Sequence, residues 1–298
     1  MRILVAIVHH WNPSGGGRHA SLRPDFRPRR EGLQQQLLSL RRLCPLQGTI
    51  DFSSLHFQPV NEALGHIIDI RLITDGENTV FKHLDDPYHR LFKEVPTKPE
   101  TSFHLGFEAQ KFLASNLDKN YDLYCYLEDD LIINDPMLFH KMIWFNKELG
   151  DEKLVLPHRV EFLNCPHSIQ KLYIDGPLYS EHLKTLIPNP PQPLLAGTPA
   201  GRIMYESPFN PHSGCFFLTH SQLQYWQKGS SWQDGDVSYI SPLESAATLG
   251  IAKNFTIYKP TRPYAAWMEI QHWGGSFISQ IQPPPTENNQ VENTESLQ

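Results

Sequence analysis

Cysteine is scarce in this chain: four in 298 residues, Cys44, Cys125, Cys165 and Cys215, with no Cys-x-x-Cys pair. That excludes a zinc ribbon or a disulfide-dense scaffold and reads as reduced, mostly buried thiols. An excess of positive charge is missing too. Lys and Arg number 26 against 32 Asp and Glu, giving a formal charge of -6 and a pI of about 6.2. A whole-surface attraction to nucleic acid or to an anionic membrane is therefore not expected. No apolar run is long enough to span a bilayer. Met1 to Val8 is apolar but too short for a signal-peptide core, and His9, His10 and Trp11 end it. It reads as a first strand, with a cytoplasmic or at most membrane-peripheral location as the expectation. There is no internal repeat. Gly15-Gly16-Gly17 is followed by no Gly-Lys-Ser/Thr and forms no Gly-x-Gly-x-x-Gly, so neither the Walker loop nor the dinucleotide fingerprint is present.

What is present is a core. The chain is 40% hydrophobic and 11% aromatic, enough for one large or two small domains. Its 25 prolines crowd into the second half, where they predict long irregular loops. Arg2 to Val8 is a continuous apolar run, as in a strand buried on both faces of a parallel sheet. The loop 12–30 carries Arg18, Arg23, Arg27, Arg29 and Arg30. It is either a flexible cationic loop suited to a diphosphate or a solvated insertion. Leucines at 33, 37, 40 and 43 predict a helix over 31–43, ended by Cys44-Pro45. His66 to Thr74 is a strand candidate ending at Asp75-Gly76, where Asp75 could bind a ribose or base, or simply turn the chain. Residues 77–100 read as a loop and 103–117 as an amphipathic helix.

The stretch 122–136 organises the rest. Leu123, Cys125 and Leu127 alternate with Tyr124 and Tyr126, and the strand they predict runs into Glu128, Asp129 and Asp130. Three adjacent carboxylates repel one another unless a cation neutralises them. In an extended chain Glu128 and Asp130 share one face and Asp129 takes the other. Mg²⁺ and Mn²⁺ favour one or two carboxylates plus substrate phosphates, and open α/β sheets bind ligands beyond the carboxyl ends of their strands. A solvated acidic turn is the plainer alternative. Against it, Leu131, Ile132 and Ile133 wedge the acids between apolar runs, and Asp135-Pro136 predicts a helix with Asp135 as N-cap, Pro136 as first residue and Gly150 as its stop.

Beyond it, Lys153 to Pro157 predicts a short strand, and 166–211 a long irregular insertion. Gly214 leads another strand, 213–219, where it permits close approach of a ligand or backbone. Trp232, Asp234 and Asp236 form an acidic, aromatic loop, and Pro242 and Glu244 begin a helix expected to end at Gly250. Phe255 to Tyr258 is a last clear strand. From Gln282 on there is almost nothing to bury, so 282–298 is expected to be a disordered tail.

Alternating strands and helices predict an α/β sheet. In order and strand context these motifs resemble the GT-A glycosyltransferases, nucleotide-diphospho-sugar transferases whose donor is held through a metal at an Asp-x-Asp motif. Leu127-Glu128-Asp129-Asp130-Leu131 is especially similar to the Glu-Asp-Asp form of the N-acetylglucosaminyltransferase I family. A second similarity covers 212–259: His212-Ser213-Gly214, Trp232 with Asp234, Glu244 on its helix, and the strand ending near Lys259. A third is His272 before Trp273-Gly274-Gly275. The resemblance spans roughly 1–275, leaving the Arg-rich loop and 160–211 unmatched.

The resemblance implies a GT-A-like, Rossmann-like, mixed but mostly parallel sheet flanked by helices. It implies one catalytic domain over 1–281, with a donor-binding half at 1–135, an irregular Pro-rich acceptor-side half at 136–281 and the tail beyond. The implied activity is metal-dependent transfer of a hexosyl or N-acetylhexosaminyl group from a UDP-sugar or other nucleotide sugar to an acceptor hydroxyl, with inversion. Asp130 and His272 would hold Mn²⁺ or Mg²⁺. Asp75, Glu128, Asp129 and Arg18 would contact the donor, and Glu244, or else Asp234 or Asp236, would be the general base. The chain departs from the family where Glu244-Ser245 replaces a Glu-Asp pair, which leaves a single carboxylate. An inactive nucleotide-sugar-binding protein of the same fold is therefore the second hypothesis. A metal-dependent phosphoester hydrolase is the third and the weakest, since such sites gather more ligands.

Overall fold

The computed structural model describes residues 1–17, 19–163, 169–178 and 190–281. The expected donor contact Arg18, Cys165 and the tail 282–298 lie outside the described residues.

The strands are β1 (Arg2–Val8), β2 (Gly48–Asp51), β3 (His56–Pro59), β4 (Ile67–Thr74), β5 (Lys93–Pro96), β6 (Leu123–Glu128), β7 (Leu131–Ile132) and β8 (Lys153–Val155). They continue with β9 (His158–Phe162), β10 (Lys171–Tyr173), β11 (Leu194–Thr198), β12 (Gly201–Glu206), β13 (Cys215–Leu218), β14 (Thr256–Pro260) and β15 (Glu269–His272). Among the described residues the α-helices are α1 (Arg27–Arg42), a single turn α2 (Asp86–His89), α3 (Leu105–Ala114), α4 (Leu138–Leu149), α5 (His220–Gln227) and α6 (Pro242–Ala252).

The class is mixed α/β, as the alternation predicted. The main sheet runs β13-β6-β1-β4-β5. Its last four strands are parallel, and β13 joins β6 antiparallel. Strand pleating divides β1 between two cores. Ile3, Val5 and Ile7 face α1 and α4 through Leu33, Leu37, Phe139 and Phe145. Leu4, Ala6 and Val8 face α3, α5 and α6 through Leu105, Leu113, Trp226 and Ala246. A strand covered on both faces has no polar face to show, hence the unbroken apolar run. β6 divides in the same way, Leu123, Cys125 and Leu127 to the α1 side and Tyr124 and Tyr126 to the α3 side.

From β1 the chain passes to β4 on one side of the sheet, then returns to β6 on the other. The strand order therefore reverses beside β1, where such sheets leave a crevice. The turn after β6 carries the chain into a second sheet, β10-β9-β15-β7, in which β7 pairs antiparallel with β15 and β15 parallel with β9. A third sheet, β11-β12-β14-β8, lies farther along the chain.

Several sequence expectations need correction. α1 begins at Arg27, not Glu31, with Pro28 in its first turn, so Arg27, Arg29 and Arg30 are helical rather than loop. Residues 77–100 contain β5, which pairs parallel with β4. As an edge strand with a largely exposed burial pattern, it carries no apolar signal. α4 starts at Leu138, and Asp135 instead turns the chain by accepting from Met137 N–H at 2.8 Å. The described part of the Pro-rich stretch holds β10 and the β11–β12 hairpin. Finally, α6 runs through Gly250 to Ala252. A Cβ at Gly250 would lie 2.3 Å from the Trp226 ring, so that glycine serves helix packing and not termination.

Candidate functional site

Pleating decides which way each acid of the central turn points. Asp129 continues the odd series of β6 and turns toward α1. There its Oδ2 lies 2.6 Å from His9 Nδ1, and its Oδ1 accepts from Arg29 Nη1. Val80 N–H donates to His9 Nε2 at 3.1 Å, so Nδ1 is the protonated nitrogen and donates to Asp129. Burial opposes the charge on Asp129, but Arg29 and His9 outweigh it and hold the carboxyl below its ordinary range. Asp129 is therefore a buried structural anion at the end of β1 and β6.

Glu128 continues the even series toward α6, where Glu244 sits in the first turn. Between them stands the buried imidazole of His212. Its Nε2 is 4.0 Å from Glu128 Oε1 and 3.8 Å from Glu244 Oε1, and its Nδ1 is 2.9 Å from Thr248 Oγ1, one turn after Glu244. Burial, with Arg159 nearby, pushes the His212 pKa well down, so the ring is neutral. Glu128 moves the other way: burial and the neighbouring Asp130 raise it well above the ordinary carboxylate range, despite Arg159. Gly214 has φ +64°, and a Cβ there would lie 2.8 Å from Glu128 Oε2. The close approach expected at that glycine is thus made by the Glu128 carboxylate.

Asp130 faces two groups. Its Oδ2 lies 3.3 Å from Arg29 Nη1 and 3.8 Å from His272 Nε2. The backbone fixes this meeting, because Trp273 N–H donates to Asp130 O at 2.8 Å as β15 pairs with β7. His272 Nδ1 donates to Glu161 Oε1 at 2.8 Å, which leaves Nε2 toward Asp130. Burial lowers the His272 pKa, but Asp130 and Glu161 together raise it above its ordinary value.

Glu128, Asp130, Glu244 and His272, up to 144 residues apart in sequence, are thus brought together. Asp130 Oδ1, Glu128 Oε1 and His212 Nε2 are buried without a hydrogen-bond partner. Such atoms suit a bound cation or substrate. An imidazole fixed through Nδ1 by a carboxylate, with Nε2 free, is the usual form of a metal-binding histidine. Asp130 and His272 therefore fit a divalent cation. Among the described residues no group of three or more His, Cys, Asp and Glu could hold an ion alone, so the rest of the shell would have to be substrate oxygens and water, as Mg²⁺ usually has.

The other expected residues have partners of their own. Asp234 and Asp236 both bind Lys253 Nζ, at 2.6 and 2.8 Å. Asp75 accepts from Glu77 N, Asn78 N and Asn78 Nδ2, a turn in which its Oδ2 also lies 3.4 Å from His10 Nδ1. Next to that turn a cavity of about 350 Å³ is lined by Trp11, Asn12, Glu77, Asn78 and Lys82 among others. Another, of about 480 Å³, opens beside Trp273, Gly274, Phe162 and the start of α1.

The sequence reading missed the buried support of the site. Asp175 accepts from Arg159 Nε at 2.8 Å and from Lys259 Nζ at 2.7 Å, and Lys259 also donates to His212 O at 2.6 Å. Arg159 and Glu161 flank Val160 in β9, and all three are buried. Charges inside a short buried strand were the available signal.

No family model matches this sequence, and no curated protein matches it significantly. Among solved structures, S. aureus TarS is similar over 92% of this chain and 37% of its own, at 10% identity and a TM-score of 0.41. This chain thus spans well under half the length of that protein. CMP:2-keto-3-deoxy-manno-octonic acid synthetase complexed with CTP is similar over 100% of this chain and 98% of its own, at 9% identity and a TM-score of 0.33. Mannose-1-phosphate geranyltransferase from Thermus thermophilus is similar over 87% of this chain and 73% of its own, at 12% identity and a TM-score of 0.37.

Proposed function

We propose that this chain is a glycosyltransferase that moves a sugar from a nucleotide diphosphate donor to an acceptor hydroxyl with inversion. The observation that carries the reading is the convergence of Glu128, Asp130, Glu244 and His272 at the carboxyl edge of β6, with buried oxygens lacking partners. In the transfer, Glu244 accepts the acceptor's proton as that oxygen bonds to the anomeric carbon, and the bond to the donor phosphate breaks with its electrons. Neutral His212, held by Thr248, packs beside Glu244 with its Nε2 3.8 Å from Oε1. Asp130 Oδ1 and His272 Nε2 are the atoms that would hold Mn²⁺ or Mg²⁺. When bound, such an ion supplies charge neutralisation on a leaving diphosphate. The cavity by Trp11 and Lys82 suits the nucleoside, with the side-chain amides of Asn12 and Asn78 at its wall and an ammonium for phosphate.

Incubation with Mn²⁺ and a panel of sugar nucleotides tests this. Slow release of nucleoside diphosphate from one of them is the expected result. Attack on generic phosphoesters instead would make the chain a hydrolase. A second reading, a nucleotide-sugar-binding protein without turnover, is favoured by Arg29, which already neutralises Asp129 and Asp130 from within. Donor binding with no release and no transfer would decide for it.

Two further results are expected. Asp130→Asn should abolish Mn²⁺-dependent donor binding in calorimetry while leaving the thermal midpoint nearly unchanged, because relief of its repulsion of Glu128 offsets the lost pairing with Arg29, which keeps Asp129. Donor affinity equal to wild type would remove Asp130 from the donor site. Residues 12–26, with three consecutive glycines and few apolar anchors, should exchange amide hydrogen fast alone and become protected once sugar nucleotide and Mn²⁺ are added. Equally fast exchange in both states would make the segment a solvated insertion.

A further inference from the structure

Among the described residues, the hairpin of β2 and β3 pairs with no other strand. Its register sets Gly48 opposite Pro59 and Ile50 opposite Phe57. Directly opposed residues share a face, so one face is wholly apolar. The other carries Thr49, Gln58, Asp51 and His56. The Phe57 ring lies across Gly48, where a Cβ would stand 1.9 Å from it. Seven of the eight strand residues are exposed, so among the described residues nothing covers either face. At the tip, Phe52 is 84% and Leu55 74% exposed. Leu55 is held at φ 57°, a left-handed conformation unfavourable for a bulky side chain. Leu46 and Leu64 extend the exposed apolar surface at the base. The base itself is fixed: Val60 N–H donates to Gln47 O at 2.9 Å, and Gln47 Nε2 donates to Cys44 O at 3.0 Å.

An isolated two-stranded hairpin is marginal in water, and an alternating one is normally covered on its apolar face. We propose that a second copy of this chain covers the apolar face of the β2–β3 arm, so that two arms pack together across a two-fold axis.

Charge selects this occupant. Residues 46–64 contain no Lys or Arg and carry Asp51 and Glu62, whereas arms that lie on anionic bilayers present basic residues beside their apolar face. The tail 282–298 offers only Val291 and Leu297 as large apolar residues, too few to cover the stripe. The area suffices for a dimer. With aromatic side chains burying about 150–250 Å² each, Phe52 and Phe57 at 84% and 58% exposure offer roughly 250 Å² per copy. Leu46, Ile50, Leu55 and Leu64 offer a comparable area. Two copies together bring roughly 1,000 Å² to the contact, about the threshold for a specific interface and in the range of weak, reversible pairs. An isologous contact also closes the assembly at two.

Sedimentation velocity on the full chain, from about 1 to about 100 µM, should show a monomer–dimer equilibrium with a micromolar dissociation constant. Ile50→Thr with Phe57→Ser should weaken it by at least about 10-fold, as should Phe52→Ser with Leu55→Asn at the tip. Asparagine tolerates the left-handed turn, so the second pair preserves the hairpin should the first disturb it. Gln58→Glu, on the polar face, should leave the dimer unchanged. Circular dichroism melts confirm that the variants fold. A wild-type chain still monomeric at the highest concentration would overturn the proposal, and so would a dimer indifferent to both pairs. A monomer that co-sediments with phosphatidylcholine vesicles would overturn it in favour of a lipid surface.

Discussion

Asp175→Asn is expected to destabilise the fold by about 3–5 kcal/mol, the usual result of breaking a buried ion pair from one side. The carboxylate is fully buried and is shared by Arg159 and Lys259. Asparagine keeps the shape and much of the hydrogen bonding, but leaves two buried cations beside each other without an anion. In a thermal melt this corresponds to roughly 6–15 °C at the usual sensitivity of a chain this size. The pH dependence has a definite sign. Burial opposes ionisation of Asp175, but Lys259 and then Arg159 outweigh it and hold its pKa well below the ordinary 3.8. A carboxyl depressed on folding contributes stability that is complete above the unfolded pKa and is lost as pH falls toward the folded one. The gap between wild type and variant should therefore stay constant from neutral pH to about pH 5 and narrow below about pH 4. A loss under about 2 °C, or a gap that widens in acid, would show that the triad is not what holds β9 and β14 under the site.

Glu244→Gln is the second large effect. If Glu244 is the base, glutamine retains its size and cannot take a proton. Donor affinity and metal dependence should stay nearly intact while turnover falls by about two to four orders of magnitude. The competing role is plain in the geometry. Ser241 caps α6 by accepting from Glu244 N–H at 3.3 Å, and an acid in a first helical turn is favourable through the helix dipole alone. In that case glutamine costs about 0.3–1 kcal/mol of stability and turnover barely changes. Asp234→Asn and Asp236→Asn are run beside it. Both acids are bound to Lys253, so near-normal transfer is expected from each. Transfer must be measured apart from donor hydrolysis, since water can replace a poorly held acceptor. Loss of transfer in an Asp variant, with Glu244→Gln active, would keep the reaction and move the base. Full activity in all three would end the single-carboxylate mechanism.

The sequence was most legible where one periodicity acted alone. β1 and β6 are apolar because both faces are covered, and the alternation in β6 correctly sent Glu128 and Asp129 to opposite sides. It was least legible where local and tertiary demands differ. The first turn of α1 is written in arginine and proline, which resembles a loop until Asp129 is seen to draw Arg29 inward. β5 gave no signal because an edge strand buries little. Gly250 resembles a helix stop, yet its role is to admit the Trp226 ring.

The candidate site divides along the same line. By itself the sequence determined the α/β class, the acidic turn at a strand's carboxyl end, and the first-turn position of Glu244, because these depend on residues close in the chain. Only the tertiary structure decided which of the acids share a site. Asp129 is withdrawn to Arg29 and His9, Asp234 and Asp236 to Lys253, and Glu128, Asp130, Glu244 and His272 are left together. The physical reason is that a carboxylate's role depends on the charges and burial around it. Here those are supplied by residues about 100 or more positions away for Asp129 and His272, and 32 positions away for Glu244, through strand pairings that no local pattern encodes.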